Sequence, residues 1–203
     1  MITIVDYGMG NLGSVLNMFK RIGVESKISS DLTEIAQATK LLLPGVGSFD
    51  AAMCRINEGG FREILDRKAK LEKVPILGIC LGMQLLTNSS AEGKEKGLGW
   101  IPAKTLAFNF KPEQNLKIPH MGWNIAYPAS KSKLTENFSE ESRFYFVHSY
   151  YVQVEQEKHS ILKTNYGISF DSGIESENIF GAQFHPEKSH KFGMRFLESF
   201  AKV

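Results

Sequence analysis

The sequence predicts an α/β fold: a mostly parallel central sheet flanked by helices, followed by a β-rich second half. Three observations carry that reading. Short apolar runs alternate with helically spaced stretches in the first half, clusters of glycine and proline interrupt them, and the later chain changes to short β-rich pieces before one closing helix. Ile2–Asp6 is a short apolar strand, followed by a glycine-rich turn. From Leu12 to Ile22, the residues Val15, Leu16, Phe19 and Ile22 recur at helical spacing, so one face is apolar. Glu25–Ser29 reads as a second strand, and Asp31 is placed to cap a short helix through Ala38. Leu41-Leu42-Leu43 is a buried strand ending in the breakers Pro44-Gly45-Val46-Gly47. Helical segments follow around Phe49–Ile56 and Phe61–Leu71, then a strand over Val74–Ile79. Strands alternating with helices form right-handed crossovers and leave a parallel sheet covered on both faces. In the second half Lys104–Phe108, Phe144–Val147, Tyr150–Val154, Ile161–Thr164 and Phe180–Phe184 are β pieces between polar turns. Pro128–Ser142 is a polar surface excursion, and the last helix carries Phe192, Phe196 and Phe200 as a core-facing stripe.

With 203 residues and no internal repeat, the chain predicts one domain over residues 1–203. Its 24 basic and 22 acidic residues are dispersed, which predicts no nucleic-acid partner. No stretch approaches the roughly 20 apolar residues of a membrane span, and the start reads as a strand rather than a signal peptide. Two cysteines, Cys54 and Cys80, make no disulfide framework, and a cytoplasmic setting is expected. Neither H-E-x-x-H nor paired C-x-x-C occurs, so no metal and no cofactor is expected.

Cys80 is the most informative residue. It sits in Gly78-Ile79-Cys80-Leu81-Gly82, directly after the apolar run Val74-Pro75-Ile76-Leu77. Glycines on both sides let a chain leave a strand and enter a helix through a sharp turn that exposes the middle side chain, as in G-x-S-x-G elbows. A thiol there meets the free N–H groups and dipole of a helix start, which favour a thiolate. Cys54, without such neighbours, is read as structural. A cysteine nucleophile needs a base, and the base needs an orienting carboxylate. Phe184-His185-Pro186-Glu187 supplies both after the strand-like Ile179–Gln183, so Cys80, His185 and Glu187 are the candidate catalytic residues. They would meet at the carboxyl edge of the sheet. Oxyanion donors are expected from Gly45, Val46 and Gly47, where glycine lets backbone N–H groups turn inward, and from Leu81 N–H. Of the remaining histidines, His120, His148, His159 and His190 read mostly as satisfied polar groups.

One motif points elsewhere. Gly8-Met9-Gly10-Asn11-Leu12-Gly13 fits G-x-G-x-x-G between a strand and a helix, with Glu25 and Asp31 near the ribose-binding position, so a dinucleotide-binding module is an alternative. Asp6 and Tyr7 at that turn oppose a pyrophosphate, and the module leaves Cys80, His185 and Glu187 unexplained. A free-standing cysteine hydrolase using the same elbow is a further alternative.

Gly78-Ile79-Cys80-Leu81-Gly82-Met83-Gln84 with Phe184-His185-Pro186-Glu187 closely resembles the class I (triad) glutamine amidotransferases. Within them the chain looks most like the glutaminase subunits of imidazole glycerol phosphate synthases. That likeness runs through Asp6–Leu12, Pro44–Gly47, Ile118–Asn124 and Tyr145–Tyr150. The resemblance implies hydrolysis of L-glutamine to glutamate, with ammonia channelled to a HisF-like (β/α)8 synthase subunit in a heterodimer that serves histidine biosynthesis. It implies that Gln84, Glu92, Ser149 and Tyr150 hold glutamine, Glu92 through its ammonium and Ser149-Tyr150 through backbone groups at its carboxylate. It also implies that Asn11, His120, Trp123 and Tyr145 face the partner. Gly13, where these subunits commonly carry a basic residue, with Asn17-Met18 and Lys188–Gly193, resembles paralogous subunits that feed amidation of a nucleotide-linked sugar in surface-polysaccharide synthesis. That alternative keeps the triad and changes only the acceptor.

Overall fold

The computed structural model describes residues 1–136, 138–139 and 141–203. The first half builds a strand-helix ladder: β1 (Ile2–Val5), α1 (Leu12–Arg21), β2 (Ser26–Ser29), α2 (Leu32–Gln37), β3 (Leu41–Gly45), α3 (Phe49–Glu58), α4 (Phe61–Asp66), β4 (Ile76–Cys80) and α5 (Leu81–Leu85). A wide turn over Arg67–Leu71 extends α4, within the single helix expected there. The second half adds β5 (Ser89–Ser90), β6 (Ala103–Ala107), β7 (His120–Ile125), β8 (Tyr127–Pro128), β9 (Arg143–His148), β10 (Tyr150–Val154), β11 (Ser160–Tyr166), β12 (Ile168–Ser176), β13 (Ile179–Ala182) and α6 (His190–Lys202).

The large sheet runs β2-β1-β3-β4-β13-β12-β10-β6-β5, with β11 and β8 branching from β12. It is parallel from β2 to β13, the strands that lead to the site, and mainly antiparallel beyond. The β7–β9 pair stands apart as a two-stranded ribbon. Strand alternation sorts the core into two layers. Leu41 and Leu43 pack with Phe49, Met53, Ile56 and Leu65 of α3 and α4 on one face. Leu42 points the other way, with Phe19 of α1 and Phe196 and Phe200 of α6. Phe196 and Phe200 are fully buried, each contributing about 3 kcal/mol of apolar burial, so the phenylalanine stripe is the dock of the last helix. Lys40 closes that helix by donating from its ammonium to the carbonyls of Phe200, Ala201 and Val203 at 3.0, 2.7 and 3.0 Å.

Two differences from the sequence reading matter. β3 runs two residues into the breaker cluster before it ends: Pro44 pairs with Ile79 and Gly45 with Cys80, because proline is tolerated where no ladder donor is needed. The longest strand, β12, has a polar sequence that reads as a turn, yet Phe170–Ile174 is buried. Its Asp171 accepts from Ser160 Oγ and Val154 N at 2.6 and 2.8 Å, and Ser172 Oγ accepts from Thr164 at 2.8 Å. The Asp171 and Ser172 side chains are thus hydrogen-bonded, so their burial carries no desolvation penalty of the unpaired kind. Of the excursion Pro128–Ser142, Asn137 and Glu140 lie outside the described residues; Leu134, expected on the surface, is fully buried.

The glycine-rich loop after β1 is filled by the protein itself. Gly8 N–H donates to Asp6 Oδ1, Gly8 O accepts from Arg55 at 2.9 Å, and Gly10 packs on Pro44. Those contacts account for Gly8 and Gly10 without a pyrophosphate.

Candidate active site

Cys80 ends β4 with φ 54° and ψ −110°, a left-handed backbone that a non-glycine residue adopts only under constraint. The flanking glycines supply the constraint. A Cβ on Gly78 would lie 2.5 Å from Gly82 O, and a Cβ on Gly82 would lie 1.9 Å from Leu43 O. The chain therefore turns through a space that only bare backbone can cross. The helix that follows spans only Leu81–Leu85, too short to bring a long helix dipole to the sulfur.

His185 follows β13 and is 3% exposed. Its N–H donates to Tyr145 O at 2.9 Å, its carbonyl accepts from Ser189 Oγ at 2.6 Å, and Ser189 Oγ accepts from Tyr145 N. That latch ties the histidine backbone to β9. The ring donates from Nδ1 to Glu187 Oε1 at 2.7 Å, which leaves Nε2 buried with no hydrogen-bond partner among the described residues. Burial opposes charging this ring, but the Cys80 sulfur and the Glu187 carboxylate outweigh it and raise its pKa to about 10.

Cys80 and His185 line one cavity of about 380 Å³, together with Val46, Gly47, Leu81, Gln84, Glu92, Ser149 and Tyr150. Every residue expected to hold substrate lies on it. Gly45 does not line it; this glycine is packed tightly, since a Cβ there would meet Tyr7 Oη at 2.7 Å. Tyr7 donates to Pro44 O, and burial, then the Cys80 sulfur, push its phenol pKa up. Glu187 stands behind His185, outside the cavity wall.

Glu92 is held by a reciprocal clasp. Its Oε2 accepts from Phe49 N at 2.9 Å, while Asp50 accepts from Lys94 N and Glu95 N at 3.0 Å. Those two donors hold the Asp50 carboxyl below the ordinary aspartate range. Gly93 is bare because a Cβ would lie 1.9 Å from Asp50 Oδ1. The helix after the oxyanion segment is thus tied to the loop that carries Glu92.

Gln183 was not singled out from sequence. It is fully buried, donates from Nε2 to Cys80 Sγ at 3.8 Å, and accepts from Gln84 Nε2 at 3.2 Å. Its signal was an amide interrupting the apolar run from Ile179 to Phe184. Of the four side chains expected to face a partner, Trp123 is 44% exposed and Asn11 is exposed, capping α1 through Ser14 N. Tyr145 is half-buried, beneath the Lys188 ammonium. His120 departs from that expectation: it is 3% exposed, its ring stacked between Tyr166 and Phe146 at 4.0 and 4.8 Å.

Burial lowers the pKa of His120 to about 4 and of His148 to about 3, from 6.5. The unfolded chain therefore binds more protons below about pH 6.5, and stability falls as pH drops toward about 4. His185 works in the other sense: its contribution is complete below about 6.5 and is lost as pH rises toward about 10. The thermal midpoint is expected to peak near pH 6.5 and to fall on both sides. A midpoint unchanged down to about pH 4 contradicts neutral buried rings.

A family model described as glutamine amidotransferase class-I matches residues 3–203. A Methanococcus maripaludis relative named imidazole glycerol phosphate synthase subunit HisH 2 is 55% identical over 202 residues, covering 100% of this chain and 99% of that protein. A Bdellovibrio bacteriovorus relative named imidazole glycerol phosphate synthase subunit HisH is 45% identical over 204 residues, with 100% of each chain covered. Among solved structures, a crystal structure of a glutamine amidotransferase matches with a TM-score of 0.75 at 16% identity, over 100% of this chain and 99% of the other, a likeness of fold.

Proposed function

The chain belongs to the class-I glutamine amidotransferase family, an enzyme family, and on that premise we propose that residues 1–203 form one glutaminase domain, the ammonia-generating subunit of an imidazole glycerol phosphate synthase. The observation that carries the reading is the shared cavity of Cys80 and His185, with Glu187 occupying Nδ1 so that Nε2 is left for proton transfer. Cys80 Sγ, its proton already held on His185 Nε2 because the sulfur and the Glu187 carboxylate raise that ring's pKa, attacks the carboxamide carbon of glutamine as a thiolate. N–H groups of Leu81 and the Val46–Gly47 segment take the oxyanion. Collapse breaks the C–N bond, His185 protonates the departing nitrogen as ammonia, and a thioester remains. Water, deprotonated by His185, then releases glutamate and restores the thiol. Glu92 faces the substrate ammonium, and Ser149-Tyr150 its carboxylate.

Ammonia freed into water near neutral pH becomes ammonium and loses its nucleophilicity, so a dry path to an acceptor subunit follows from the chemistry. Trp123, Tyr145 and the Asn11 loop are the surface for a HisF-like (β/α)8 partner in the cytoplasm. Relatives of 42–55% identity that carry the imidazole glycerol phosphate synthase name favour this acceptor over a nucleotide-linked sugar. The test is reconstitution with such a synthase subunit. Glutamine turnover is expected to rise at least about tenfold on assembly, a barrier change near 1.4 kcal/mol, with formation of the cyclised product. Equal turnover of the free and assembled chain overturns the coupling, and ammonia release without product overturns the acceptor.

The clasp around Glu92 gives a second expectation. Asp50→Ala raises KM for glutamine about tenfold while kcat stays within about threefold, because it loosens a binding group rather than a reacting one. Steady-state kinetics checks this, with Asp50→Asn expected to restore much of the affinity.

A further inference from the structure

A buried line of side chains runs from β7 to the cavity, and its hydrogen-bond directions are determined by the chemistry of its ends. His148 Nδ1 lies 2.7 Å from Tyr150 O. A carbonyl only accepts, so Nδ1 carries the proton and His148 Nε2 is an acceptor. His120 Nδ1, 2.9 Å from that Nε2, must then be the donor. His120 Nε2 in turn accepts from Asn124 Nδ2 at 3.2 Å, whose other hydrogen goes to Asn165 O at 3.0 Å. Each ring therefore holds one tautomer, Nδ1–H, and a second proton on either would set two donors face to face.

The inner end of this line meets a second donor. Gln84 Nε2 gives a hydrogen bond to the same Tyr150 O at 3.2 Å, and Gln84 itself leads through Gln183 to Cys80 Sγ. A carbonyl oxygen has two lone pairs, and here both are taken. Left free, either would repel a carboxylate brought to the Ser149-Tyr150 backbone. Tyr150, His148 and Gln84 all line the cavity. The outer end lies on a strand whose Met121 and Trp123 are 61% and 44% exposed.

We propose that His120 and His148 are positioning residues for glutamine, a one-directional relay from β7 that pins the Tyr150 carbonyl and so sets the backbone that receives the substrate carboxylate. It rests on reading the cavity as a glutamine pocket. Neither ring touches the reacting atoms, so the relay acts on binding, not on bond making.

Two measurements test it. Long-range 1H–15N spectra of the full chain report ring tautomers without substrate, so they stand even where the substrate assignment fails. Both rings are expected as Nδ1–H, and an Nε2–H tautomer on either overturns the relay. In glutaminase assays, His148→Phe is expected to raise KM for glutamine about tenfold with kcat changed less than about threefold. His148→Asn, whose amide nitrogen can stand where Nδ1 stands, is expected to recover most of that loss. An unchanged KM in His148→Phe, a kcat loss as large as the KM rise, or equal impairment in both variants overturns the proposal. Absence of glutamine turnover in the unaltered chain assembled with its synthase subunit, with both rings as Nδ1–H, would instead count against the pocket assignment alone.

Discussion

Cys80→Ala is expected to remove glutamine hydrolysis by at least about 10⁴-fold while the chain still folds and still binds its synthase partner. Among the described residues Cys80 is the one thiol that lines the cavity beside His185, so no neighbouring thiol replaces it. The backbone cost is already present: alanine at φ 54° is no more strained than cysteine. What is lost in packing is one sulfur with long contacts, to Val147 O at 4.0 Å and Gln183 Nε2 at 3.8 Å. The measurements are glutamate release, the thermal midpoint and complex formation on a sizing column. Retained hydrolysis in a folded variant would end the thioester mechanism.

Gly82→Ala is expected to be strongly destabilising. Its Cβ would sit 1.9 Å from Leu43 O and 2.9 Å from Leu43 C. Both are backbone atoms of a central strand, so no rotamer change relieves the clash, and β3 or β4 must move. A loss of about 4 kcal/mol or more is the expected scale, a large part of the stability of a domain this size. Chemical denaturation measures it, with Gly13→Ala as the contrast, because nothing lies within 4 Å of a Cβ there. A Gly82→Ala chain as stable as its parent would mean that the elbow does not pass that close to β3.

Oxygen and nitrogen partners, rather than the triad, decide how well the site is held. Asp171 and Ser172 stabilise a strand that carries no sequence pattern, and Asp50 and the His120–His148 pair hold binding groups they do not resemble. These are charge and lone-pair balances, and each is complete only when its partner arrives from elsewhere in the chain.

The sequence by itself determined the features whose causes are local. Two glycines around Cys80 make the elbow, because backbone sterics act over a few residues, and three consecutive residues bring His185 to Glu187. The apolar runs of the first half likewise announced the parallel strands β1, β3 and β4, each buried on both faces. Tertiary structure alone decided that β3 continues beside Cys80, that polar β12 is interior, and that His120 lies inside rather than on a partner face. It also decided the line from Asn124 to Tyr150 and the clasp between Asp50 and the Glu92 loop. Those pairings join residues far apart along the chain, where strand register and buried hydrogen-bond balance, not periodicity, choose the partner.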